Sequence, residues 1–325
     1  MNIEYKKPWF NVSLFFAMFL VILLSLTSLG GVDLLVYKKA VSKPISEWGF
    51  YYYKEFFSWI IIKFSYYLSD LFYIKNPIFF NNLIVFCLVS FSLRKYKFKG
   101  VFVSLALISP VGVLLSHNVL RQYISCIFLF IFIINLCERN LIFSVFMGLA
   151  SILSHNSSIF FVILLYSALL LNSRAGSVVF IIFSFMLLSL FSKIIGINPI
   201  FNEMTHDGLV VDGRIKYFSY VSLTIIMYIF KNITVNLGGV NDSIVINLSR
   251  YYDLMIVVAL GFFLMDPPYW VLSRLVISAS FVNILCIIFI AHYKKIDSFS
   301  FPIFYVVLMT SSLIHPGVRS ILFIN

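Results

Sequence analysis

Long apolar runs separated by short polar stretches constrain the fold of this chain more than any other feature of its sequence. The first run, at about residues 10–30, has the length of about 20 residues that a membrane-spanning helix needs. Charged residues make up only 11% of the chain and hydrophobic residues 61%, with a mean hydropathy of +1.00, whereas soluble domains carry roughly 25% charged residues. So few charges would leave large apolar patches in water, so we predict that lipid surrounds most of the chain.

Further apolar runs follow along the chain, at about residues 76–93, 100–115, 121–137, 141–153, 159–171, 177–195, 217–230, 254–266, 270–291 and 299–314. Several have only about 13 residues, so we expect some helices to be short, tilted or partly buried. The pattern predicts an all-α fold, a polytopic transmembrane helix bundle of about ten to twelve helices, some of them short or re-entrant. In this interpretation residues 1–325 form a single integral membrane domain.

The stretch at residues 51–72 is aromatic and apolar, but charged side chains interrupt it at Lys54, Glu55, Lys63 and Asp70. Because charges within a span are costly, we predict an amphipathic or re-entrant segment here rather than a spanning helix. This segment lies in a predicted extracytoplasmic loop at residues 31–75, and residues 196–216 form a second extracytoplasmic loop.

The most basic short loops are residues 94–99 and 292–295, and an even number of apolar runs separates them. Both loops should therefore lie on one side of the membrane, which the positive-inside rule makes the cytoplasmic side. This rule and anionic headgroups account for the net charge of +11 without a nucleic-acid partner. The cysteines show no C-x-x-C or Cys/His ligand spacing, so neither a metal site nor a cofactor is predicted.

Polar side chains gather at the predicted outer ends of the helices. Asn118, Arg121 and Gln122 stand at the outer entrance of the 121–137 run, and their spacing places them on one helical face if that helix begins early. His155 lies in the next outer turn, among serines. Taken alone, a histidine in a turn is more often a satisfied interfacial residue than a functional one.

Several arginines stand near the beginnings of helices that run from the outer to the inner side: Arg121, Arg214 and Arg274. A cation there opposes the helix dipole at a cost of a few tenths of a kcal/mol, and a bound polyanion reverses that sign. The pattern predicts a phosphate or pyrophosphate site on the outer face. The alternatives are structural: Arg274 pairs with Asp266 or snorkels to headgroups, and Arg121 anchors a lipid phosphate.

Short motifs follow one another along the chain at residues 31–37 (GVDLLVY), 47–50 (EWGF), 118–125 (NVLRQYIS), 154–158 (SHNSS), 274–275 (RL) and 316–323 (PGVRSILF). Together they resemble the motifs of the EpsG-like polymerases of bacterial exopolysaccharide and O-antigen assembly, which are close in role to Wzy. The chain departs from the family pattern at Ser125, where Ala is usual, at Ser154, where Phe is common, and at Pro316-Gly317, where Pro-Tyr is usual.

The resemblance implies a multi-pass glycosyltransferase of the bacterial inner membrane. It would join undecaprenyl-pyrophosphate-linked oligosaccharide repeat units on the periplasmic face into O-antigen, the polymer of lipopolysaccharide, or into exopolysaccharide. Its partners would be the lipid-linked oligosaccharide, membrane lipids and a chain-length regulator protein. The residues expected to bind the pyrophosphate and the sugar are Asn118, Arg121, Gln122, Arg214, Arg274 and Arg319.

This reaction needs a general base within hydrogen-bond reach of the acceptor sugar hydroxyl. The candidates are Glu47, His155 and Asp33, of which Glu47 and His155 are favoured without a choice between them. The structural alternatives are that Asp33 caps a turn and that Glu47 pairs with a nearby lysine.

Two rival functions belong to other classes. A lipid-linked oligosaccharide flippase or other transporter would need charges deep within the spans, whereas most charges here stand at the ends of the apolar runs. A membrane O-acyltransferase would need a histidine near a cytoplasmic acyl-CoA entry, and His292 is the one histidine expected on that side.

Overall fold

The computed structural model describes residues 9–28, 33–169, 171, 173–195, 213–237, 242–265 and 269–296. These ranges are helical and contain no β-strand, which confirms the all-α prediction for the part of the chain described. The α-helices, in chain order, are α1 (Trp9–Thr27), α2 (Asp33–Val41), α3 (Phe50–Tyr53), α4 (Phe56–Leu71), α5 (Ile78–Ser92), α6 (Val103–Leu107), α7 (Pro110–His117), α8 (Leu120–Cys137), α9 (Leu141–Ile152), α10 (Ser158–Leu169), α11 (Arg174–Ile195), α12 (Gly213–Asn236), α13 (Ser243–Gly261) and α14 (Tyr269–Tyr293).

The apolar runs up to residue 291 all fall on these helices, and the last run, 299–314, lies outside the described residues. Within those residues, three helical stretches are long and apolar enough to cross a membrane: Leu120–Cys137, Ser243–Leu264 and Val271–Tyr293. The chain is therefore a membrane protein. The predicted number of about ten to twelve helices, some short or re-entrant, is not confirmed, because many of the other apolar helices have fewer than the roughly 20 residues of a full span.

A sharp bend divides the predicted run at 100–115 into two helical pieces, whose axes differ by 108°. Ser109 has an extended backbone and accepts a hydrogen bond from the backbone N–H of Gly112 at 3.0 Å, which caps α7. Pro110 occupies the first turn of α7, where its missing N–H costs nothing. Gly112 permits the tight bend, since a Cβ there would lie 2.2 Å from the carbonyl oxygen of Ala106. The result is the geometry of a broken span or a re-entrant loop.

The segment predicted as a long loop at residues 31–75 is itself helical from Asp33 onward, with α2, α3, α4 and a 3-10 turn at Ile45–Glu47. Helix α4 has 16 residues and is not among the candidate spans. It packs against α5 and α8 and buries Trp59 and Ile62. The segment therefore packs onto the bundle, while its position relative to a membrane stays a prediction.

Contacts between distant loops define one end of the bundle, which we call the basic end. The Nε2 atom of His292 lies 3.0 Å from the carbonyl oxygen of Tyr96, and the Tyr293 hydroxyl donates to Asp242 at 2.6 Å. Lys95 forms an ion pair with Glu138 in the same region. The two basic loops at 94–99 and 292–295 thus lie together, as the number of intervening runs predicted.

Helices α8 and α14 form the centre of the bundle, and 94% of each candidate span in them is buried. Helix α8 ends at the basic end, where the carbonyl oxygen of Cys137 accepts from Asn247. Its 18 residues extend about 27 Å, so its first turn lies at the opposite end of the bundle. The residues of that first turn are the ones that the sequence motifs single out.

Candidate active site

Arg121 is the second residue of α8 and follows directly on the break between α7 and α8. Helix α8 begins at Leu120, and Asn118 instead ends α7, where its backbone N–H donates to the carbonyl oxygen of Leu114 at 3.0 Å. The condition for a shared face of Asn118, Arg121 and Gln122 is therefore not met. The predicted shared face does not form, because Asn118 and Val119 have a non-helical backbone between α7 and α8.

Gln122 joins the first turn of α8 to the beginning of α14. Its Nε2 atom donates to the backbone carbonyl oxygen of Arg274 at 2.6 Å and also to the hydroxyl of Ser278. Arg274 lies in the second turn of α14, and its side chain is exposed. Arg121 and Arg274 thus lie at the same end of the bundle, on neighbouring helices.

Glu55, which was not predicted from the sequence as a site residue, contacts both Arg121 and His155. Only 3% of the residue is exposed. One carboxylate oxygen forms an ion pair with Arg121. The other lies 3.0 Å from Nδ1 of His155 and 3.2 Å from the backbone N of Asn156. Arg121 and His155, predicted from separate motifs, therefore share one buried carboxylate.

The partners of Glu55 determine its charge. Burial by itself raises the pKa of the carboxyl, but the hydrogen bond and charge of His155, the charge of Arg121 and the N–H of Asn156 lower that pKa from 4.5 to about 2. Glu55 is therefore an ionised carboxylate at neutral pH and acts only as a hydrogen-bond acceptor.

Local contacts fix the Glu55 carboxylate in place. Glu55 stands between α3 and α4, and its carbonyl oxygen accepts from the Ser58 hydroxyl at 2.9 Å. The backbone N–H of Phe57 donates to the carbonyl oxygen of Leu153 at 3.1 Å, which ties the start of α4 to the turn that carries His155. Two backbone segments far apart in sequence are thus bound together around the ion pair.

Aromatic side chains enclose Arg121 on another side. Its guanidinium carbon lies 5.1 Å from the ring centre of Trp59, and the Tyr37 ring meets Trp59 edge-on at 5.6 Å. Burial raises the pKa of Tyr37 to about 12, with Arg121 lowering and Asp33 raising it. Asp33 and Arg121 therefore both act on the buried Tyr37, which brings the motif at residues 31–37 to the Arg121 region.

Glu47 does not join this group. It ends the 3-10 turn with an exposed side chain that makes no hydrogen bond or ion pair with the residues that the structure describes. Its neighbour Trp48 is buried instead and stacks on Tyr52 at 5.8 Å. The alternative that Glu47 pairs with a nearby lysine is therefore wrong for this part of the chain.

A group of buried serines holds the hairpin that carries His155. The Ser125 hydroxyl donates to the carbonyl oxygen of Ser151 at 2.9 Å, and the Ser151 hydroxyl returns a bond to the carbonyl oxygen of Ser125 at 3.0 Å. Ser125 also contacts the hydroxyl of Ser158. The serine at 125, which departs from the family motif, thus links α8 to α9 and α10.

The remaining predicted ligands are less completely described. Helix α12 begins at Gly213, so Arg214 lies within its first turn instead of before it. Arg319 and Asp266 lie outside the described residues, so the expected pairing of Arg274 with Asp266 does too. The predicted loop at residues 196–216 lies outside them as far as residue 212.

A second charged cluster, not predicted from the sequence, lies around Asp253 in the middle of α13. Asp253 accepts from Lys231 at 2.8 Å and forms an ion pair with Arg174. Lys231 is 1% exposed and lies between the rings of Tyr228 and Tyr252, at 4.5 and 5.4 Å from their centres. The charges of Lys231 and Asp253 flank the apolar runs at 217–230 and 254–266, as expected, but α12 and α13 extend beyond those runs, so both charges lie within helices.

Among residues in the described ranges, no group of three or more His, Cys, Asp or Glu side chains is placed to hold a metal ion. The described residues around Arg121 include guanidinium groups, an imidazole and a carboxylate. A family model described as the EpsG family matches residues 10–322 of the chain. No curated protein and no solved structure matches it.

Proposed function

The chain belongs to the EpsG family of Wzy-like polysaccharide polymerases, and from that premise we propose the reaction that it catalyses. It joins undecaprenyl-pyrophosphate-linked oligosaccharide repeat units on the periplasmic face of the bacterial inner membrane. The product is an O-antigen or an exopolysaccharide. The lipid-linked oligosaccharide is thus both donor and acceptor, and a chain-length regulator protein is the expected protein partner.

The observation that best supports this proposal is the meeting of Arg121 and His155 on one buried carboxylate, with Arg274 on the neighbouring helix. The reaction needs a cationic site for a diphosphate and a base for a sugar hydroxyl, close to each other. Guanidinium groups suit the diphosphate because they form bidentate contacts with its oxygens. The Arg121 end of the bundle supplies both requirements from described residues.

In the proposed reaction, the base removes the proton of the acceptor hydroxyl while the hydroxyl oxygen bonds to the anomeric carbon of the donor. The bond between that carbon and the pyrophosphate oxygen breaks, and the diphosphate leaves with the electron pair. Arg121 and Arg274 neutralise the negative charge that develops on the leaving group. Gln122 keeps the two arginines at a fixed separation through its bond to the backbone of Arg274.

We assign the base to His155 in preference to Glu47 or Asp33. Glu47 is exposed and makes no described contact with the Arg121 region. Asp33 lies in the first turn of α2 and raises the pKa of the buried Tyr37, so a structural role beside Tyr37 is the simpler one. His155 is half-buried, shares the Glu55 carboxylate with Arg121 and carries an imidazole, the side chain that most often serves as a general base.

The test uses the full chain in lipid nanodiscs with undecaprenyl-pyrophosphate-linked repeat units from the host strain. The wild type is expected to produce a ladder of longer lipid-linked chains and to release undecaprenyl pyrophosphate. Arg274→Ala should lower the rate by about 100-fold, the usual cost of removing a transition-state charge partner. Lys99→Ala, an exposed cation at the basic end, is the control and should keep the wild-type rate.

Gene disruption separates the polymerase from its rivals. Loss of a polymerase leaves single repeat units at the outer face, and loss of a flippase leaves no units there. Loss of an acyltransferase leaves full-length chains of altered mass. The proposal fails if purified protein makes no ladder and the disrupted strain still assembles long chains.

A further inference from the structure

We propose that Glu55 is a positioning residue, which holds His155 and Arg121 in one fixed arrangement so that the base and the diphosphate site meet the same substrate. This inference rests on the proposed function and deepens it. Glu55 itself touches no substrate in this proposal. It acts through His155 and Arg121, on the two sides of its carboxylate.

The Glu55 carboxylate accepts every hydrogen bond that it makes with the described residues. All the described side-chain and backbone partners of the carboxylate, Arg121, His155 Nδ1 and the N–H of Asn156, are able to donate. An ionised carboxylate only accepts, so the hydrogen of the neutral His155 ring resides on Nδ1. The lone pair is then on Nε2, which is the atom left to accept a proton from the sugar hydroxyl.

The distances from the Glu55 carboxylate to its partners fit the length of a glutamate side chain. Glu55 reaches Arg121 on α8 with one oxygen and the turn before α10 with the other, at 3.0 Å from His155 and 3.2 Å from Asn156. With glutamine at this position, one of these donors would face an NH2 group. With aspartate, the side chain is one methylene shorter and cannot reach both sides. Glutamate is therefore the residue that fits all three donors at once.

The charged groups near His155 are Glu55 and Arg121, with Asp33 further away. Glu55, from the segment before α4, is in direct contact, and Arg121, from α8, is held by the same carboxylate. On α2, the charge of Asp33 raises the pKa of Tyr37, and the charge of Arg121 lowers it. Glu55 is thus the anion that stabilises a protonated imidazole at this position, among the residues described.

The first experiment measures the rate of polymerisation against pH for the wild type and for Glu55→Gln in nanodiscs. We expect the rate of Glu55→Gln to fall by about 100-fold or more, because a misoriented base loses most of its effect. The acidic limb of its residual rate–pH profile should move to lower pH, since the imidazolium has lost its neighbouring carboxylate and the free base persists in more acidic solution. A purely structural role would lower the amount of active protein without moving that limb.

Glu138→Gln is the matched control. Glu138 also forms an ion pair, with Lys95, but at the basic end of the bundle. It should keep both the wild-type rate and the wild-type profile. The proposal is overturned if Glu55→Gln keeps them as well, or if its rate falls while the acidic limb stays in place.

The second experiment does not need an active enzyme. In protein labelled with 15N-histidine, the NMR shifts of the ring nitrogens show which one carries the hydrogen, and His155→Gln identifies the signal of His155. We expect hydrogen on Nδ1 in the neutral wild-type ring. Hydrogen on Nε2 would reject the Glu55 contact even if polymerisation is observed, and hydrogen on Nδ1 in a protein without polymerase activity would reject the proposed function alone.

Discussion

Two buried carboxylates in this bundle each bind two basic side chains, yet their surroundings differ. Asp253 lies on α13 with partners on other long helices, Lys231 on α12 and Arg174 at the start of α11. Glu55 lies between two helices, and His155 lies in a turn. Asp253 thus joins long helices, whereas Glu55 joins the segment before α4 to the first turn of α8 and to the turn before α10.

The chemical type of the partners distinguishes a structural ion cluster from a candidate catalytic one in this bundle. Both partners of Asp253 are cations at neutral pH, so the cluster neutralises charge in an apolar setting. One partner of Glu55 is an imidazole, the side chain that most often serves as a general base. A general-base side chain that shares a carboxylate with an arginine is the feature that indicates chemistry.

The largest expected effect is on folding, at the Asp253 cluster. Asp253→Asn leaves the buried Lys231 without its anion, and breaking a buried ion pair in this way costs about 3–5 kcal/mol. We expect a strong loss of protein from the membrane and a lower midpoint of thermal unfolding in detergent. Adding Lys231→Met should restore part of the loss, because the pair is then removed as a whole. Normal stability of Asp253→Asn would mean that the two clusters do not differ in this way.

The next effect is on catalysis, and it compares the same arginine-to-lysine change beside Glu55 and beside Asp253. Arg121→Lys keeps a cation beside Glu55 but loses the planar fork, so polymerisation should fall by about 100-fold at nearly normal protein levels. Arg174→Lys makes the same change beside Asp253. The Arg174 side chain is 55% exposed, so its ion pair contributes little and both rate and stability should stay near those of the wild type. Equal rates for the two variants would contradict a role for Arg121 in binding the diphosphate.

A smaller effect concerns stability in acid. The pKa of Glu55 is lowered from 4.5 to about 2 in the folded protein. A lowered carboxyl pKa adds stability that is complete above the unfolded value and is lost as pH falls through the folded value. The difference in unfolding midpoint between wild type and Glu55→Gln, a few degrees, should therefore shrink as the pH falls from about 4.5 to about 2. A difference that does not change with pH would place Glu55 outside the ion pair.

Much of the fold could be predicted from the apolar runs, because each described run corresponds to helix in the structure. The predicted number of spans was not confirmed, because run length does not show whether a short helix crosses a membrane or lies inside the bundle. The bend at Ser109–Pro110 was missed for a related reason. Apolar composition continues through it, and only the Ser-Pro pair and Gly112 indicate it.

The candidate site could be predicted in part. Arg121, Gln122 and His155 were selected from motifs, and contacts bring them to one end of the bundle. Glu55 was missed because it stands next to Lys54, and such a pair is usually solvated. The signal that could have found it is a carboxylate within the aromatic sequence of residues 50–57, where water is scarce. Its partners come from 66 and 100 residues away, and no local pattern predicts such a distant contact.

The smallest effect tests whether the hairpin that carries His155 is held by charges or by neutral hydroxyls. Ser125→Ala removes one hydroxyl that bonds across α8 and α9, while the bond from the Ser151 hydroxyl to the backbone of residue 125 is kept. The loss should be about 1 kcal/mol, the net contribution of one neutral hydrogen bond. The polymerisation rate should stay within about twofold of the wild type, because the Glu55 carboxylate still holds His155.

Ser144→Ala provides the control for this test, since the Ser144 hydroxyl is buried on α9 but bonds only to Leu141 in its own helix, at 2.8 Å. Its unfolding midpoint should change less than that of Ser125→Ala, because no link between helices is lost. If Ser125→Ala instead slows polymerisation more than tenfold at a nearly normal midpoint, the serine hydroxyls act on the substrate or on the placement of His155. The distinction between a charged active end and neutral hairpin packing would then no longer hold, and the serine group would belong to the site.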